Sequence, residues 1–270
     1  MTVSIVMPVR DRLDLTRQCV AAIEQHTRPG SYELVVVDNG STDGTLAWLD
    51  ETERSGRLRS VRNGENVGFG AACDLGAAAS DGAHVLLLNN DMLPLPGWLE
   101  ALVEAVAAPE VGIAGSRLLY PDGTVQHAGI SFDSQSLPYH LARGRAKDHP
   151  VVLTSRDVAA VTGACMLLRR EVYERLGGFD DAFFFCVEDV DLCVRAWDAG
   201  LRVVYRADST VVHLESGSVT DDDWKGALVR EGWDRLHDRW LDRWPAGFAQ
   251  VRAAENAWLA DETPDPPGRR

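Results

Sequence analysis

The sequence predicts an α/β protein: a mostly parallel sheet with helices on both faces, a mixed sheet in the second half, and a C-terminal helix. Three observations support this class. Near-continuous apolar runs such as residues 32–38 are typical of strands covered on both faces. These runs alternate with helical stretches over residues 1–120, as right-handed crossovers between parallel strands require. A chain of 270 residues that is 45% hydrophobic can bury a sizeable core, which excludes general disorder.

The first half contains five predicted strands separated by four predicted helices. The strands are expected at residues 3–9, 32–38, 58–63, 83–91 and 111–120. The helices are expected at residues 11–27, 68–80 and 97–108. A further helix is expected to follow the turn at residues 39–45 and to run through residue 48. Ligands of open parallel sheets bind beyond the carboxyl ends of the strands. The segments that follow the strands, residues 8–12, 38–43, 63–70 and 89–91, are therefore predicted to form one cleft.

The second half is predicted to be mixed. A hairpin is expected near residues 122–123, and a strand leads into a helix within residues 157–178. A helix at 188–200 precedes one or two strands at 201–214. A long helix is expected at residues 222–244.

Charge and cysteine content limit the partners and the location. The chain has 27 Lys+Arg against 41 Asp+Glu, a net charge of −14, which argues against nucleic-acid binding and against electrostatic docking on anionic lipid. No apolar run approaches the ~18 residues of a membrane span, and the first residues resemble a strand more than a signal peptide. Five cysteines without a CxxC pair fit free thiols in a reducing cytoplasm.

Two acidic segments are candidates for chemistry. Asn89, Asn90 and Asp91 follow a buried strand and offer the oxygen ligands that Mg²⁺ or Mn²⁺ accepts together with substrate phosphates. A plain turn before Pro94 explains them equally well. Glu188 and Asp189 begin a helix, where an ionised carboxylate is favoured and can act as a general base. Ordinary helix capping is the commoner role of such a residue.

Three further positions carry weaker signals. His213 ends a β-branched run and would suit Mn²⁺ if it faces Asp91, although a packing role is more common. Asp38 can accept hydrogen bonds from a base or ribose, or be a turn carboxylate. Asn66 and Gly68 precede a helix whose exposed amides can receive a phosphate or a base. The chain lacks GxGxxG after the first strand and has neither GxxxxGK[ST] nor GxSxG, which argues against dinucleotide oxidoreductases, NTPases and α/β-hydrolases.

The order of these segments is more specific than any one of them. The chain contains VSIVMPVRDR, VVVDNGSTDGT, ENVGFGAACDLG, LLLNND, TGACMLLRR, FDDAFFFCVEDVDLCVRAWDAG and VVHLESGS. This series resembles the inverting GT-A glycosyltransferases of family 2, in particular the rhamnosyltransferase-like members that act in bacterial polysaccharide and cell-envelope assembly. The resemblance covers about residues 2 to 218.

The resemblance implies a GT-A fold with a Rossmann-like sheet. It implies transfer of a sugar from a UDP- or dTDP-sugar to a glycan, lipid-linked or small-molecule hydroxyl, with Mg²⁺ or Mn²⁺. The implied nucleotide-binding residues are Pro8, Arg10, Asp38, Asn66, Gly68, Asn89 and Asn90. The implied metal ligands are Asp91 and His213, the implied base is Asp189 of the Glu188–Asp189 pair, and Gly163, Ala164 and Cys186 border the donor sugar and acceptor.

The resemblance also implies domain limits, and the chain departs from the family pattern at three positions. A catalytic domain is expected at 1–220, with a nucleotide-binding half (1–120) and an acceptor half (121–220), then a helical extension (221–260) and a disordered tail (261–270). Asn89 replaces the first aspartate of the family's DXD motif, so weaker metal affinity and a need for added Mg²⁺ or Mn²⁺ are expected. Asp74 replaces a common Asn, and Cys186 replaces a common aromatic residue near the base, which leaves the acceptor open.

An apolar stripe marks the C-terminal helix. It consists of Val229, Trp233, Leu236, Trp240 and Trp244. The helix is only weakly basic, so packing on the catalytic domain or on a sister subunit is favoured over membrane contact. A homodimer through this helix, and a peripheral position at the inner face of the membrane, are the associated expectations.

Two other functional classes stay open at this level. Sugar-phosphate nucleotidyltransferases share the sheet, the nucleotide pocket and a metal carboxylate, but they usually carry a Gly-rich basic loop where this chain has PVRDRLD. A non-catalytic nucleotide-sugar-binding protein would keep the sheet without needing Asp91 or Asp189. The presence of both carboxylates favours an enzyme.

Overall fold

Residues 2–184, 186–214 and 222–260 are described by a computed structural model, and these ranges contain twelve strands, eight α-helices and one 3₁₀-helix. The strands are β1 (Val3–Val9), β2 (Tyr32–Asp38), β3 (Arg59–Arg62), β4 (His84–Leu88), β5 (Met92–Pro94), β6 (Val111–Leu119), β7 (Val125–His127), β8 (Ile130–Phe132), β9 (Pro138–His140), β10 (Arg156–Asp157), β11 (Cys165–Arg169) and β12 (Arg202–His213). The helices are α1 (Leu13–His26), α2 (Thr45–Arg54), α3 (Phe69–Ala78), α4 (Trp98–Val106), α5 (Arg170–Leu176), α6 (Glu188–Asp198), α7 (Asp222–Trp240) and α8 (Ala246–Ala260), and the 3₁₀-helix is Pro150–Val152.

The described part of the chain has a central sheet of ten strands. Its order is β10-β12-β6-β11-β4-β1-β2-β3, with β5 beside β12 and β7 beside β6, while β8 and β9 form a separate pair. β1 pairs in parallel with β2 and β4, β2 with β3, and β6 with β12. The predicted α/β class, mostly parallel in the first half and mixed in the second, is confirmed.

The position of β11 is a feature of the sheet that the sequence did not predict. β11 runs antiparallel between β4 and β6, so these two strands point the same way without being neighbours. Residues 165–168 of β11 are all buried, as a strand covered on both faces requires. Its apolar run identifies it as a central strand, but an apolar run carries no information about which strands lie on either side.

Helix α1 begins two residues later than predicted. Asp11 and Arg12 have φ of 56° and 53°, in the left-handed region that non-glycine residues seldom adopt. This turn brings the Asp11 carboxylate to the N–H groups of Thr42, at 2.7 Å, and Asp43, at 3.2 Å. The Asp11 N–H in turn donates to Ser41 Oγ at 2.8 Å. These contacts join the loops after β1 and β2 at the carboxyl edge of the sheet.

The C-terminal region contains two helices where one was predicted. α7 ends at Trp240 and α8 starts at Ala246, directly after Pro245. Leu236 and Trp240 of the apolar stripe are buried in the core, with Trp233 and Trp244 packed against it. The stripe therefore packs on the core of the same chain, which is one of the two packing roles favoured from the sequence, and the homodimer through it stays a prediction.

The proposed domain limits also remain predictions, and the tail 261–270 lies outside the described residues. Among the residues described, no helix is both long and apolar enough to cross a membrane.

A buried carboxylate attaches α7 to α6. The side chain of Asp191 is fully buried, and its Oδ2 accepts from Arg195 Nε at 2.8 Å. Its Oδ1 accepts from Arg239 Nη1 at 3.0 Å and from Trp240 Nε1 at 2.9 Å. The i, i+4 spacing of Asp191 and Arg195 is typical of a pair on a helix surface. Helix α7 covers it, which the local sequence of α6 does not indicate.

Replacing Asp191 with alanine should therefore destabilise the protein. We expect the free energy of unfolding to fall by about 3 kcal/mol, since Arg195 and Arg239 would lose their shared partner. Urea denaturation measures the change. The matched control is Glu231→Ala, which breaks an i, i+4 pair with Arg235 whose side chains are 56% and 46% exposed. That change should stay within about 0.5 kcal/mol, and equal losses in both variants would contradict the role given to Asp191.

Candidate active site

A cleft of about 470 Å³ opens at the carboxyl edge of the sheet. Twelve of the fourteen predicted site residues line it: Pro8, Arg10, Asn66, Asn89, Asn90, Asp91, Gly163, Ala164, Cys186, Glu188, Asp189 and His213. Asp38 and Gly68 are not among the lining residues. Val9, Asn39 and Phe69 also line the cleft and lie within the segments predicted to form it. Four lining residues lie outside those segments and were not predicted, namely Leu118, Gln126, His140 and Thr162.

Strand pairing brings Asp91 and His213 together. In the antiparallel pair of β5 and β12, Met92 lies opposite His213, and the Leu214 N–H donates to the Asp91 carbonyl oxygen at 3.0 Å. Asp91 Oδ1 consequently lies 3.1 Å from His213 Nε2, and both side chains are nearly buried, with 11% and 13% exposed. Two residues separated by 122 positions in the chain thus face one point of the cleft.

Gln126 determines which nitrogen of His213 carries the proton. Its Oε1 lies 2.7 Å from His213 Nδ1, and an amide oxygen can only accept, so Nδ1 donates. The Nε2 lone pair is then left for a ligand beside Asp91. A histidine held through its second nitrogen is the usual arrangement at metal sites. No sequence motif around Gln126 indicates this contact.

The donor set fits Mg²⁺ or Mn²⁺ bound together with a substrate. In residues 2–184, 186–214 and 222–260, no group of three or more His, Cys, Asp or Glu side chains is arranged to hold a metal ion. Asp91 and His213 are therefore the two side chains at this point of the cleft that could ligate such an ion. Such ions keep several water ligands and take substrate phosphates, so one carboxylate and one imidazole are sufficient.

Backbone and side-chain contacts hold the segment that carries Asp91. The Asn89 N–H donates to the Ala164 carbonyl at 3.0 Å, which extends the pairing of β4 with β11. The Asn90 side-chain amide donates to Thr16 Oγ1 of α1 at 3.0 Å. Asn90 therefore has a structural contact that fixes the loop, in addition to its position on the cleft.

Asp189 is held by hydrogen bonds that suit an ionised carboxylate. Its Oδ2 accepts from the Gly163 N–H at 2.8 Å and its Oδ1 from the Val190 N–H at 2.8 Å. The Thr162 side chain adds a third hydrogen bond. A Cβ at position 163 would lie 3.2 Å from Asp189 Cβ and 3.1 Å from Phe69 Cε1, so glycine allows this close approach.

The neighbouring carboxyl group has no such donors. Glu188 is 8% exposed, and within the described residues its Oε2 has no hydrogen-bond partner. Burial and the adjacent charge of Asp189 raise the pKa of Glu188. Burial also raises the pKa of Asp189, but three hydrogen bonds to its oxygens oppose that effect. The hydrogen bonds therefore favour the negative charge on Asp189, and burial without donors favours the proton on Glu188.

A strained turn leads into this pair. Cys186 and Val187 have φ of 73° and 59°, and a β-branched residue in the left-handed region is a backbone outlier. Strain of this kind is concentrated at functional sites. Burial raises the pKa of the Cys186 thiol to about 12, so this cysteine borders the cleft as a neutral thiol.

At the predicted nucleotide wall, Asn39 lines the cleft and Asp38 does not. Asp38 is 1% exposed, and its oxygens accept from the Ser41 N–H at 3.2 and 3.4 Å, which is the turn role weighed for it from the sequence. Its neighbour Asn39 lines the cleft and donates to Asn66 Oδ1 at 2.8 Å and to the Gly68 carbonyl at 3.1 Å. The predicted contacts of Asp38 and Gly68 with a nucleotide stay predictions.

Fold and site together define a class of protein. A cleft at the strand ends, with a carboxylate and an imidazole that suit a cation and a second carboxylate at a helix start, is typical of GT-A glycosyltransferases. The family model of glycosyl transferase family 2 matches residues 4–177. The chain belongs to glycosyl transferase family 2.

Curated relatives support the rhamnosyltransferase-like branch. The O-antigen biosynthesis protein RfbC of Myxococcus xanthus is 38% identical over 223 residues, which cover 80% of this chain and 17% of that protein. The N-acetylglucosaminyl-diphospho-decaprenol L-rhamnosyltransferase of Mycobacterium tuberculosis is 30% identical over 215 residues, which cover 70% of this chain and 68% of that protein. The chain thus spans less than a fifth of the Myxococcus relative.

Solved structures share the fold at low identity. GalNAc-T7 with UDP, GalNAc and Mn²⁺ has a TM-score of 0.74 at 18% identity, over 95% of this chain and 51% of that chain. The mannosyltransferase PcManGT of Pyrobaculum calidifontis, in complex with GDP-Man and Mn²⁺, has a TM-score of 0.59 at 19% identity, over 97% and 76%. These similarities confirm the predicted GT-A fold.

Proposed function

We propose that this protein transfers a sugar from a UDP- or dTDP-sugar to a hydroxyl of a glycan, lipid-linked or small-molecule acceptor, with inversion at the anomeric carbon. The observation that carries the proposal is the 3.1 Å contact of Asp91 Oδ1 with His213 Nε2 in the cleft that also contains Asp189. The five described cysteines are free, which fits a reducing cytoplasm.

The chain's own groups divide into a part that holds the leaving group and a part that activates the acceptor. Asp91 and His213 would hold Mg²⁺ or Mn²⁺, which when bound neutralises charge on the departing nucleoside diphosphate. Arg10, at the exposed rim of the cleft, adds positive charge on the same side. Asn66 would present the N–H groups of its side-chain amide to the nucleoside, and Asn39 holds that side chain by donating to Asn66 Oδ1.

Asp189 is the base in this proposal. An acceptor hydroxyl is a weak nucleophile, and its proton passes to Asp189 as its oxygen bonds to the anomeric carbon and the bond to the diphosphate breaks. Attack comes from the face opposite the diphosphate, so the configuration inverts. Glu188 carries a proton and is buried against Asp189, so it keeps a second negative charge out of the pocket.

Product analysis tests this function against its alternatives. The full chain is incubated with UDP-glucose or dTDP-rhamnose, Mn²⁺ and a set of octyl glycosides, and we expect release of nucleoside diphosphate together with a glycosylated product. Release of pyrophosphate from sugar phosphate and nucleoside triphosphate would indicate a nucleotidyltransferase instead. Binding of nucleotide sugar without any product would indicate a non-catalytic binding protein.

A further inference from the structure

Two histidines meet at one end of the cleft. His140 of β9 lines the cleft, and His127 of β7 is fully buried behind it. Their Nδ1 atoms lie 2.9 Å apart, and the rings are edge-on at an interplanar angle of 74°. One Nδ1 must donate and the other must accept, so this contact couples the proton positions of the two rings.

Burial decides the direction of the bond. Within the described residues, His127 Nε2 is buried and has no hydrogen-bond partner. A buried N–H donor without an acceptor is more costly than a buried lone pair, because backbone and side-chain donors are almost always satisfied in proteins. The His127 proton therefore belongs on Nδ1, from which it donates to His140 Nδ1. His140 must then carry its own proton on Nε2.

Both rings are uncharged near neutral pH. Burial, with Arg143 and His213 nearby, lowers the pKa of His140 to about 4. Burial, with His140, Arg156 and His213 nearby, also lowers the pKa of His127. His140 thus presents an N–H without a positive charge. A neutral donor of this kind suits a sugar oxygen better than a phosphate.

Strand pairing and the contact with His127 place His140 apart from Asn39 and Asn66. Asn39 and Asn66 lie on the β1–β2 side of the cleft, and Asp91 with His213 lies where β5 meets β12. At this end of the sheet the pairing order is β5-β12-β6-β7, so Gln126 of β7 lies at the edge opposite β5, and His140 joins it there through the contact with His127. If the nucleoside lies beside Asn39 and Asn66 and the diphosphate reaches the cation, only sugar remains to occupy the third part of the cleft, beside His140.

We propose that His140 donates its Nε2–H to an oxygen of the sugar in this third part of the cleft, and that His127 is a positioning residue that keeps the proton on that nitrogen. The proposal rests on the transferase function proposed above. The bound oxygen belongs either to the donor sugar or to the acceptor, and the chemistry of the contact is the same in both cases.

A first experiment reads the proton positions without any substrate. Long-range ¹H–¹⁵N NMR of histidine-labelled protein should show His140 as the Nε2–H form and His127 as the Nδ1–H form. In His127→Leu, which removes the donor, His140 should become a mixture of the two forms. In His127→Asn, whose amide can take the place of the Nδ1–H, His140 should keep the Nε2–H form. His140 as the Nδ1–H form in the unchanged protein would overturn the proposal, whether or not the protein transfers sugar.

A second experiment locates the contact. Calorimetry with Mn²⁺ compares UDP with UDP-glucose, and dTDP with dTDP-rhamnose, in the unchanged protein and in His140→Phe. If the affinity for the nucleotide sugars falls about tenfold and the affinity for the free nucleotides does not, the contact is on the donor sugar. Unchanged binding with a tenfold fall in kcat/KM for octyl glycosides places it on the acceptor.

Matched variants separate this contact from a packing effect. His140→Gln can place an N–H near the position of Nε2 and should recover most of the loss, whereas His140→Phe fills the space without a donor. Circular dichroism confirms that each variant is folded. Three results would overturn the proposal. The two substitutions could have equal effects, His140→Phe could weaken the binding of free nucleotides and of nucleotide sugars equally, or it could change neither binding nor transfer.

Discussion

Replacing Asp189 with asparagine is expected to lower the rate of sugar transfer by about 10²- to 10⁴-fold, while nucleotide affinity changes little. The carboxylate accepts backbone N–H groups from Gly163 and Val190 on its two oxygens, and neither contact involves the nucleotide wall. An amide at this position cannot take the proton of an acceptor hydroxyl. Release of nucleoside diphosphate measures the rate, and calorimetry with UDP and Mn²⁺ measures the affinity.

The adjacent Glu188 provides a matched control for this prediction. Because burial without hydrogen-bond donors favours the protonated form of Glu188, Glu188→Gln replaces a neutral acid with a neutral amide of similar shape. We expect transfer within a few-fold of the unchanged protein and a similar thermal midpoint. Equal losses in the two variants would contradict the assignment of charge to Asp189 and proton to Glu188. Full activity of Asp189→Asn would remove Asp189 from the mechanism.

Replacing Asp91 with alanine is expected to abolish the Mn²⁺-dependent part of nucleotide binding and to lower transfer by at least about 10²-fold. The side chain is 3.1 Å from His213 Nε2, so its loss leaves a single protein ligand at the site. Titration of UDP with and without Mn²⁺ measures the effect. Asp122→Ala is the control, because it removes an exposed carboxylate from the β6–β7 turn, where Thr124 is its hydrogen-bond partner.

A substitution at Gln126 is expected to weaken Mn²⁺ binding less than the loss of Asp91 does. Gln126→Leu should lower Mn²⁺ affinity by about 10- to 100-fold, because His213 would lose the acceptor that orients its ring. Nucleotide binding without metal should be unchanged. An unaltered Mn²⁺ affinity in Asp91→Ala and Gln126→Leu would argue that the Asp91–His213 contact is an ion pair and not a metal site.

Much of the site was predictable because charged residues at strand ends carry a local signal. Asp91 follows the buried strand β4, and Asp189 lies at the start of α6, so periodicity and turn chemistry were enough to name both as candidates. The family resemblance then implied their roles. The same reasoning selected Asp38 and not Asn39, because a carboxylate at a strand end can accept hydrogen bonds from a base or ribose. In the structure the Asp38 carboxylate serves the Ser41 turn, and the neutral neighbour reaches the cleft.

The residues that were missed are neutral and belong to the second half of the sheet. Gln126 and His140 reach the cleft through the pairing of β6 with β7 and of β8 with β9. Short strands of three residues have little periodicity, so their register cannot be determined from local sequence. The break between α7 and α8 did have a local signal in Pro245, which cannot continue a helix without losing a hydrogen bond.

The amino-acid sequence alone determined the α/β class, the family and the edge of the sheet where the cleft lies. These properties depend on the order of apolar runs, turns and carboxylates, which local chemistry dictates. Only the tertiary structure decided that β11 separates β4 from β6, that Gln126 orients His213 and that α7 covers Asp191. Each of these contacts joins segments far apart in the chain, and its free energy depends on burial and strand register that no single segment specifies.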